Sequence, residues 1–257
     1  MLSRTVKVLV ALVGIAALLL LGVAMMPARA VKLATDRVDG LELRTAEGRL
    51  FSGEADVAYR GHDLGRVVWS VLPGMLLDMQ LGMDWQIAHR DYTVSGTAAV
   101  GAGAAEVAAT GIIDALAVNR FLSQYHISLD GMFEVDNVDV RFDSAGIGAD
   151  GRLRWSGGRA LYRLSGETHD VELPGMVGTL GVMAGQPVLE VVTADDLLRL
   201  LSIRLDAEGW AHIDVTARLT SLAGTPWQGE DGEDAVVVTV SEHLIKPGVA
   251  DVPGSGG

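Results

Sequence analysis

Leu81-Gly82-Met83-Asp84-Trp85-Gln86-Ile87-Ala88 sets a large apolar side chain at every odd position, a period of two that suits a half-buried strand and no helix. Ala211, Ile213, Val215, Ala217 and Leu219 alternate in the same way with His212, Asp214, Thr216, Arg218 and Thr220, which predicts a strand over 211–220. Shorter versions occur at Leu41 and Leu43, Val57 and Tyr59, Val67 and Trp69, Tyr162 and Leu164, and Val236, Val238 and Val240. With so few helical intervals between them, these patterns disfavour parallel βαβ winding and predict a mainly β chain built as an extended antiparallel β-meander sheet. The 32 Gly agree, because Gly turns the chain at φ > 0 without steric cost.

Two short helices are expected within this sheet. Asp114 is a good N-cap, and Val118, Phe121, Leu122 and Tyr125 follow at i, i+3, i+4, i+7. A second helix is expected from Thr193, with Asp195 and Asp196 in its first turn ahead of Leu197, Leu198, Leu200 and Leu201. Each is read as a plug over a sheet end. Gly96 through Gly111 is rich in Gly and Ala and specifies its strand register weakly.

Between Ile127 and Phe142 the apolar phase changes from odd (Ile127, Leu129, Phe133, Val135) to even (Val138, Val140, Phe142). Either a one-residue bulge or a two-residue hairpin turn at Asp136-Asn137 accounts for the shift.

Val8 to Met26 carries no charge and is close to the length of about 20 residues that crosses a bilayer core. Arg4 and Lys7 precede it, which places the start, residues 1–7, in the cytoplasm and residues 27–245 outside it. Ala28-Arg29-Ala30 has the form of a signal-peptidase site, so cleavage after Ala30 competes with an anchor, but the apolar run exceeds the usual signal-peptide length of about 7 to 15 residues. The chain has no Cys, so the exported part relies on packing and strand pairing rather than disulfides. A net charge of −13 argues against nucleic acid and against adsorption to anionic lipid, leaving residues 8–26 as the hold on the membrane. The tail, residues 246–257, is Gly- and Pro-rich without apolar patterning and is expected to be disordered.

Gly65-Arg66-Val67-Val68-Trp69-Ser70 is echoed by Gly151-Arg152-Leu153-Arg154-Trp155-Ser156, which suggests an internal duplication with halves at about 38–125 and 126–245. In each copy a Trp would fill the core beside a Gly. Trp69, Trp155, Trp85 and Trp210 are the candidate core residues.

These segments, in their order, resemble the type II secretion system protein N family. The resemblance rests on Gly48-Arg49-Leu50-Phe51-Ser52-Gly53-Glu54-Ala55, on Gly65 to Trp69 before Leu72-Pro73-Gly74-Met75-Leu76-Leu77, and on Gly151 to Trp155 running into Gly157-Gly158-Arg159-Ala160-Leu161-Tyr162-Arg163-Leu164. It extends through Glu208-Gly209-Trp210-Ala211 and the Ala217-Arg218-Leu219 strand to Leu222-Ala223-Gly224-Thr225-Pro226-Trp227. Phe51 stands where the family often carries Trp and keeps an aromatic there. The resemblance implies a single-pass inner-membrane protein of a Gram-negative bacterium, its bulk in the periplasm, whose partners are other type II secretion system proteins. It implies no catalytic residues.

The residues themselves carry no catalytic, cofactor-binding or metal signature. The six His, at 62, 89, 126, 169, 212 and 243, show no zinc spacing, and His62-Asp63 and His169-Asp170 would point to opposite faces of a strand. Asp130, Glu134, Asp136, Asp139, Asp143 and Asp150 lack the spacing of an EF-hand loop and suit a solvated strand face. There is no nucleophile elbow, Walker loop or Rossmann fingerprint. The expected role is docking onto other proteins, with an enzyme disfavoured. A tethered sheet that handles lipid is the alternative. A lipid groove needs a continuous apolar stripe exposed to ligand, whereas most strands here are apolar on one face only, a pattern that favours docking.

Overall fold

The computed structural model describes residues 41–243 apart from 50, 60, 61, 165 and 207. The expected anchor Val8 to Met26, the site after Ala30 and the 246–257 tail lie outside the described residues. No helix among the described residues is long and apolar enough to cross a membrane. The described residues are mainly β, with strands covering 69% of them and two short α-helices among them. The chain divides into two compact units, one ending at Ala105 and the other beginning at Glu106.

The first unit runs β1 (Leu41–Arg49), β2 (Ser52–Tyr59), β3 (His62–Leu72), β4 (Leu81–His89) and β5 (Tyr92–Gly101), each strand hydrogen-bonded antiparallel to the next. Its core is small: Ala55, Val57 and Trp69 are buried, with Ala46, Leu64, Val67 and Met83 packed against them. Gly53 lies opposite Trp69, and a Cβ there would fall 2.7 Å from the indole Cζ2, so the missing side chain is what lets the ring lie across β2. Gly65 sits at φ +83° beside a register shift between β2 and β3, with Ala88 O 2.3 Å from where its Cβ would be.

In the second unit the sheet order is β6 (Ala104–Asp114), β8 (Met132–Asp143), β9 (Gly146–Trp155), β12 (Met176–Met183), β13 (Gln186–Thr193), β14 (Arg199–Leu205), β15 (Trp210–Thr216) and β16 (Val236–His243). A separate three-stranded sheet joins β7 (Ile127–Leu129), β10 (Gly158–Leu164) and β11 (Glu167–Leu173), with β10 in the middle. Helix α1 (Ala115–Leu122) starts where expected: the Asp114 carboxylate accepts from Leu116 N at 2.8 Å. The Asn119 amide both donates to and accepts from the Leu129 backbone, fixing α1 to β7.

The phase change near Asp136 is a bulge. Strand β8 continues unbroken, Asp136 pairs with Arg152 and Asp139 with Asp150, so Asn137 and Val138 together face Gly151. Asn137 takes φ +47°, and a Cβ on Gly151 would lie 2.5 Å from Val138 Cα. The apolar pattern thus changes phase within β8 without reversing the chain.

The helix expected from Thr193 is instead a tight turn between β13 and β14. Thr193 does cap, its hydroxyl accepting from Leu198 N at 3.0 Å, but Leu197 adopts φ +55° and the chain returns as a strand. The leucines imitate a helical stripe because β14 carries apolar residues on both faces, Leu200 on one and Leu201 on the other, which erases its period of two. The second helix, α2 (Ala217–Leu222), takes over the end of the strand expected over 211–220: β15 stops at Thr216, whose hydroxyl accepts from Leu219 N as the N-cap. The alternation through Ala217 and Leu219 coincides with, and does not specify, a strand.

Candidate functional site

Register builds a continuous apolar face on the second unit's sheet. Directly paired residues share a face, and the strand register connects Val135, Leu153, Gly178, Val191, Leu201, Val215 and Val238 across seven neighbouring strands. A second row connects Gly151, Leu180, Leu189, Ile203, Ile213 and Val240. At about 4.8 Å between strands the longer row spans about 29 Å. Phe133, Trp155 and Met176 close one end of this face.

A covered core would bury such side chains. Here Leu153, Leu180, Leu189, Val191, Leu201, Ile203, Ile213 and Val215 all stay half-buried, and Val238 and Val240 are 40% and 46% exposed. On the opposite face Leu200 and Thr216 are fully buried and Val188 and Ser202 nearly so, with α2 packed against β14 and β15, while the polar Arg152, Arg154, Thr179, Glu190 and Arg204 stay exposed. The apolar face is therefore only partly covered, with Trp155 and Ala211 buried on it and its rows half-buried between them. Toward the β14–β15 turn it deepens into a cleft of about 550 Å³ formed by Val140, Phe142, Ile147, Leu180, Pro187 and Leu205.

The indole of Trp155 anchors the end of this face. Its Nε1 donates to Asp130 O at 2.9 Å, and its ring stacks on Phe133 with centroids 6.0 Å apart. Trp155 and Trp69 are buried at 7% and 8% exposure. Trp85, paired with Trp69, is half-buried, and Trp210 is 42% exposed at the start of β15, outside the core.

One constellation escaped the sequence. His212 Nδ1 lies 2.9 Å from Ser241 Oγ and its Nε2 lies 3.1 Å from Asp206 Oδ2, the order of a Ser–His–Asp relay. A relay also needs donors aimed at the developing oxyanion. Ser241 sits within the extended strand β16, where successive N–H groups point in opposite directions and do not converge. Asp206 also accepts from Trp210 N at 2.8 Å, and this backbone bond, with His212 second, holds its carboxyl below the usual range. The three residues staple the β14–β15 turn to β16. Only the β15–β16 register, which pairs His212 with Ser241, brings them together.

Of the acidic stretch, Glu134, Asp136, Asp139, Asp143 and Asp150 lie on β8 and β9 while Asp130 lies between β7 and β8, with Arg154 beside Glu134 and Arg141 beside Glu106. Asp139 faces Asp150 across the β8–β9 ladder; burial first, and Glu106 second, raise its carboxyl above the ordinary range. His89 stacks on Tyr92 and His169 on Tyr162. Among the described residues no group of three or more His, Cys, Asp or Glu is placed to hold a metal ion.

Comparison with known proteins adds one finding. A family model described as "Type II secretion system (T2SS), protein N" matches residues 39–228, most of the chain. Searches among curated proteins and among solved structures return no significant match.

Proposed function

The chain belongs to the type II secretion system protein N family, and from that premise we propose that it is an accessory inner-membrane component that supports export of folded proteins across the outer membrane by docking onto other secretion proteins. The observation that carries the docking is the apolar face, two rows of aliphatic side chains in register that stay only half-buried and run out to the exposed Val238 and Val240. Soluble proteins rarely leave so large a contiguous apolar patch to water unless something binds it. Residues 8–26 tether the chain, with its bulk in the periplasm, and raise its effective concentration beside membrane partners. It acts by contact and not by turnover.

The test is a null strain. Export of folded substrates should fall and return with the full chain, whereas replacing His212 by Ala should leave export near normal. Normal export in the null strain would end this reading.

A specific observation favours a second reading, a tethered sheet that handles lipid. One-faced strands in a partly covered sheet are themselves a continuous apolar stripe, so the feature that separated the two readings in the sequence does not separate them in the fold. The cleft beside Phe142 and Leu205, about 550 Å³, is of ligand size. An envelope-lipid defect with normal export in the null strain would put this reading in place of the first.

A further inference from the structure

The sheet of the second unit ends in a strand built to be extended. Among the described residues β16 pairs only with β15, so the other side of its backbone presents a row of donors and acceptors. Natural edges are blunted by charges, Pro or bulges. The first unit's outer strand, β1, has such devices: Glu42, Arg44, Glu47 and Arg49, with a register break at Arg44 against β2. Strand β16 reads Val236-Val237-Val238-Thr239-Val240-Ser241-Glu242-His243, with no Lys, Arg or Pro and a register break only at its start.

The same strand is where the apolar rows stop. Val238 continues the row through Leu201 and Val215, Val240 continues the row through Ile203 and Ile213, and both are exposed because no further strand flanks them. On the opposite face Thr239 donates to Asp214 at 2.8 Å and Ser241 meets His212. The Tyr125 hydroxyl bonds Glu242 and pins the far end of the strand, leaving Val238 to Ser241 as the open stretch.

We propose that the free edge of β16 takes an extended segment of a partner polypeptide as an added strand. The occupant follows from the chemistry of the edge: only an extended backbone offers alternating N–H and C=O groups at the strand spacing, and neither an acyl chain nor a folded surface does. Its side chains must alternate, apolar residues meeting Val238 and Val240 and polar ones beside Thr239 and Ser241. A second copy of this chain would bring a further net charge of −13 to the contact, so the edge favours a different polypeptide that is not itself acidic. The proposal rests on the docking reading for the claim that a partner exists, and names where and how it binds.

The experiment introduces a photo-crosslinking amino acid at Thr239 in the full chain at native abundance, with the same probe at Glu47 on β1 as control. The expected result is a discrete adduct from position 239, at least tenfold above that from position 47. Mass spectrometry should map it to a segment of another polypeptide with alternating apolar residues. Adding Val238→Lys and Val240→Lys, both at exposed positions, should abolish that adduct while the thermal midpoint of the chain stays unchanged. An adduct between two copies, to residues 244–257 of the same chain, to lipid, or equal from both positions would overturn the proposal, as would survival of the adduct in the double lysine variant. Impaired export in the null strain without an adduct at β16 sinks the edge and spares the docking reading; normal export in the null strain with the adduct present does the reverse.

Discussion

On β14, Leu200 is fully buried while its neighbours Leu201 and Ile203 are only partly buried, although all three are large aliphatic residues on one strand. The difference runs across the second unit's sheet. One face is fully buried around Leu200, Thr216 and Val188, and the other keeps its apolar rows half-buried from Val135 to Val215 and exposed at Val238. Fully buried apolar surface holds the fold; half-buried apolar surface holds it only partly and is free to bind. Substitutions should therefore separate stability from function according to the face they touch.

The largest loss is expected at the indoles. Trp155→Ala removes a buried ring, its stacking on Phe133 and its bond to Asp130 O, and should cost about 3 to 5 kcal/mol in denaturant unfolding. Trp69→Ala should cost a similar amount if the two Gly-x-x-x-Trp strands are related halves. An effect below about 1 kcal/mol at either would argue against the duplication. On the covered face, Leu200→Ala should cost about 2 to 5 kcal/mol. Ile203→Ala, on the apolar face, should cost only about 1 kcal/mol, because its side chain is incompletely buried. Equal losses at Leu200 and Ile203 would mean that the apolar face is fully covered after all.

Much of this fold was legible and some of it could not have been. Period-two alternation identified most strands, and Asp114 announced α1, because one-faced burial and capping are local effects. Thr193 to Leu201 misled because β14 is apolar on both sides, so its leucines satisfied a helical spacing. Ala217 and Leu219 misled because α2 begins in phase with the strand before it. The bulge at Asn137 was visible as a phase change, but its distinction from a turn depended on Gly151, thirteen or more residues away on a partner strand. The half-buried state of the apolar face lay beyond the sequence for a related reason: alternation says which face is apolar, and nothing local says whether a second layer covers it. The His212–Ser241–Asp206 staple needed the β15–β16 register.

Smaller effects sharpen the comparison at its margins. Asp114→Ala should cost about 1 kcal/mol by leaving the first turn of α1 uncapped. Asp206 has its carboxyl held low by Trp210 N–H and His212, so it contributes stability that is present above its unfolded pKa of about 4 and is lost as pH falls through its lower folded value. Amide exchange around the β14–β15 turn should accordingly rise in acid below about pH 4, and Asp206→Asn should remove that acid-dependent step. Persistence of the step in the variant would assign it to other carboxylates.

The most direct test pairs fold and function on the apolar face. Ile203 and Ile213 are paired at its centre, and Ile203→Asn with Ile213→Asn should leave a folded sheet, checked by circular dichroism and accumulation in the cell. Export of a folded substrate should then be measured in the null strain carrying this variant. The account predicts a severe loss of export, close to that of the null strain, from a folded and normally abundant protein. Export at the wild-type level would contradict it.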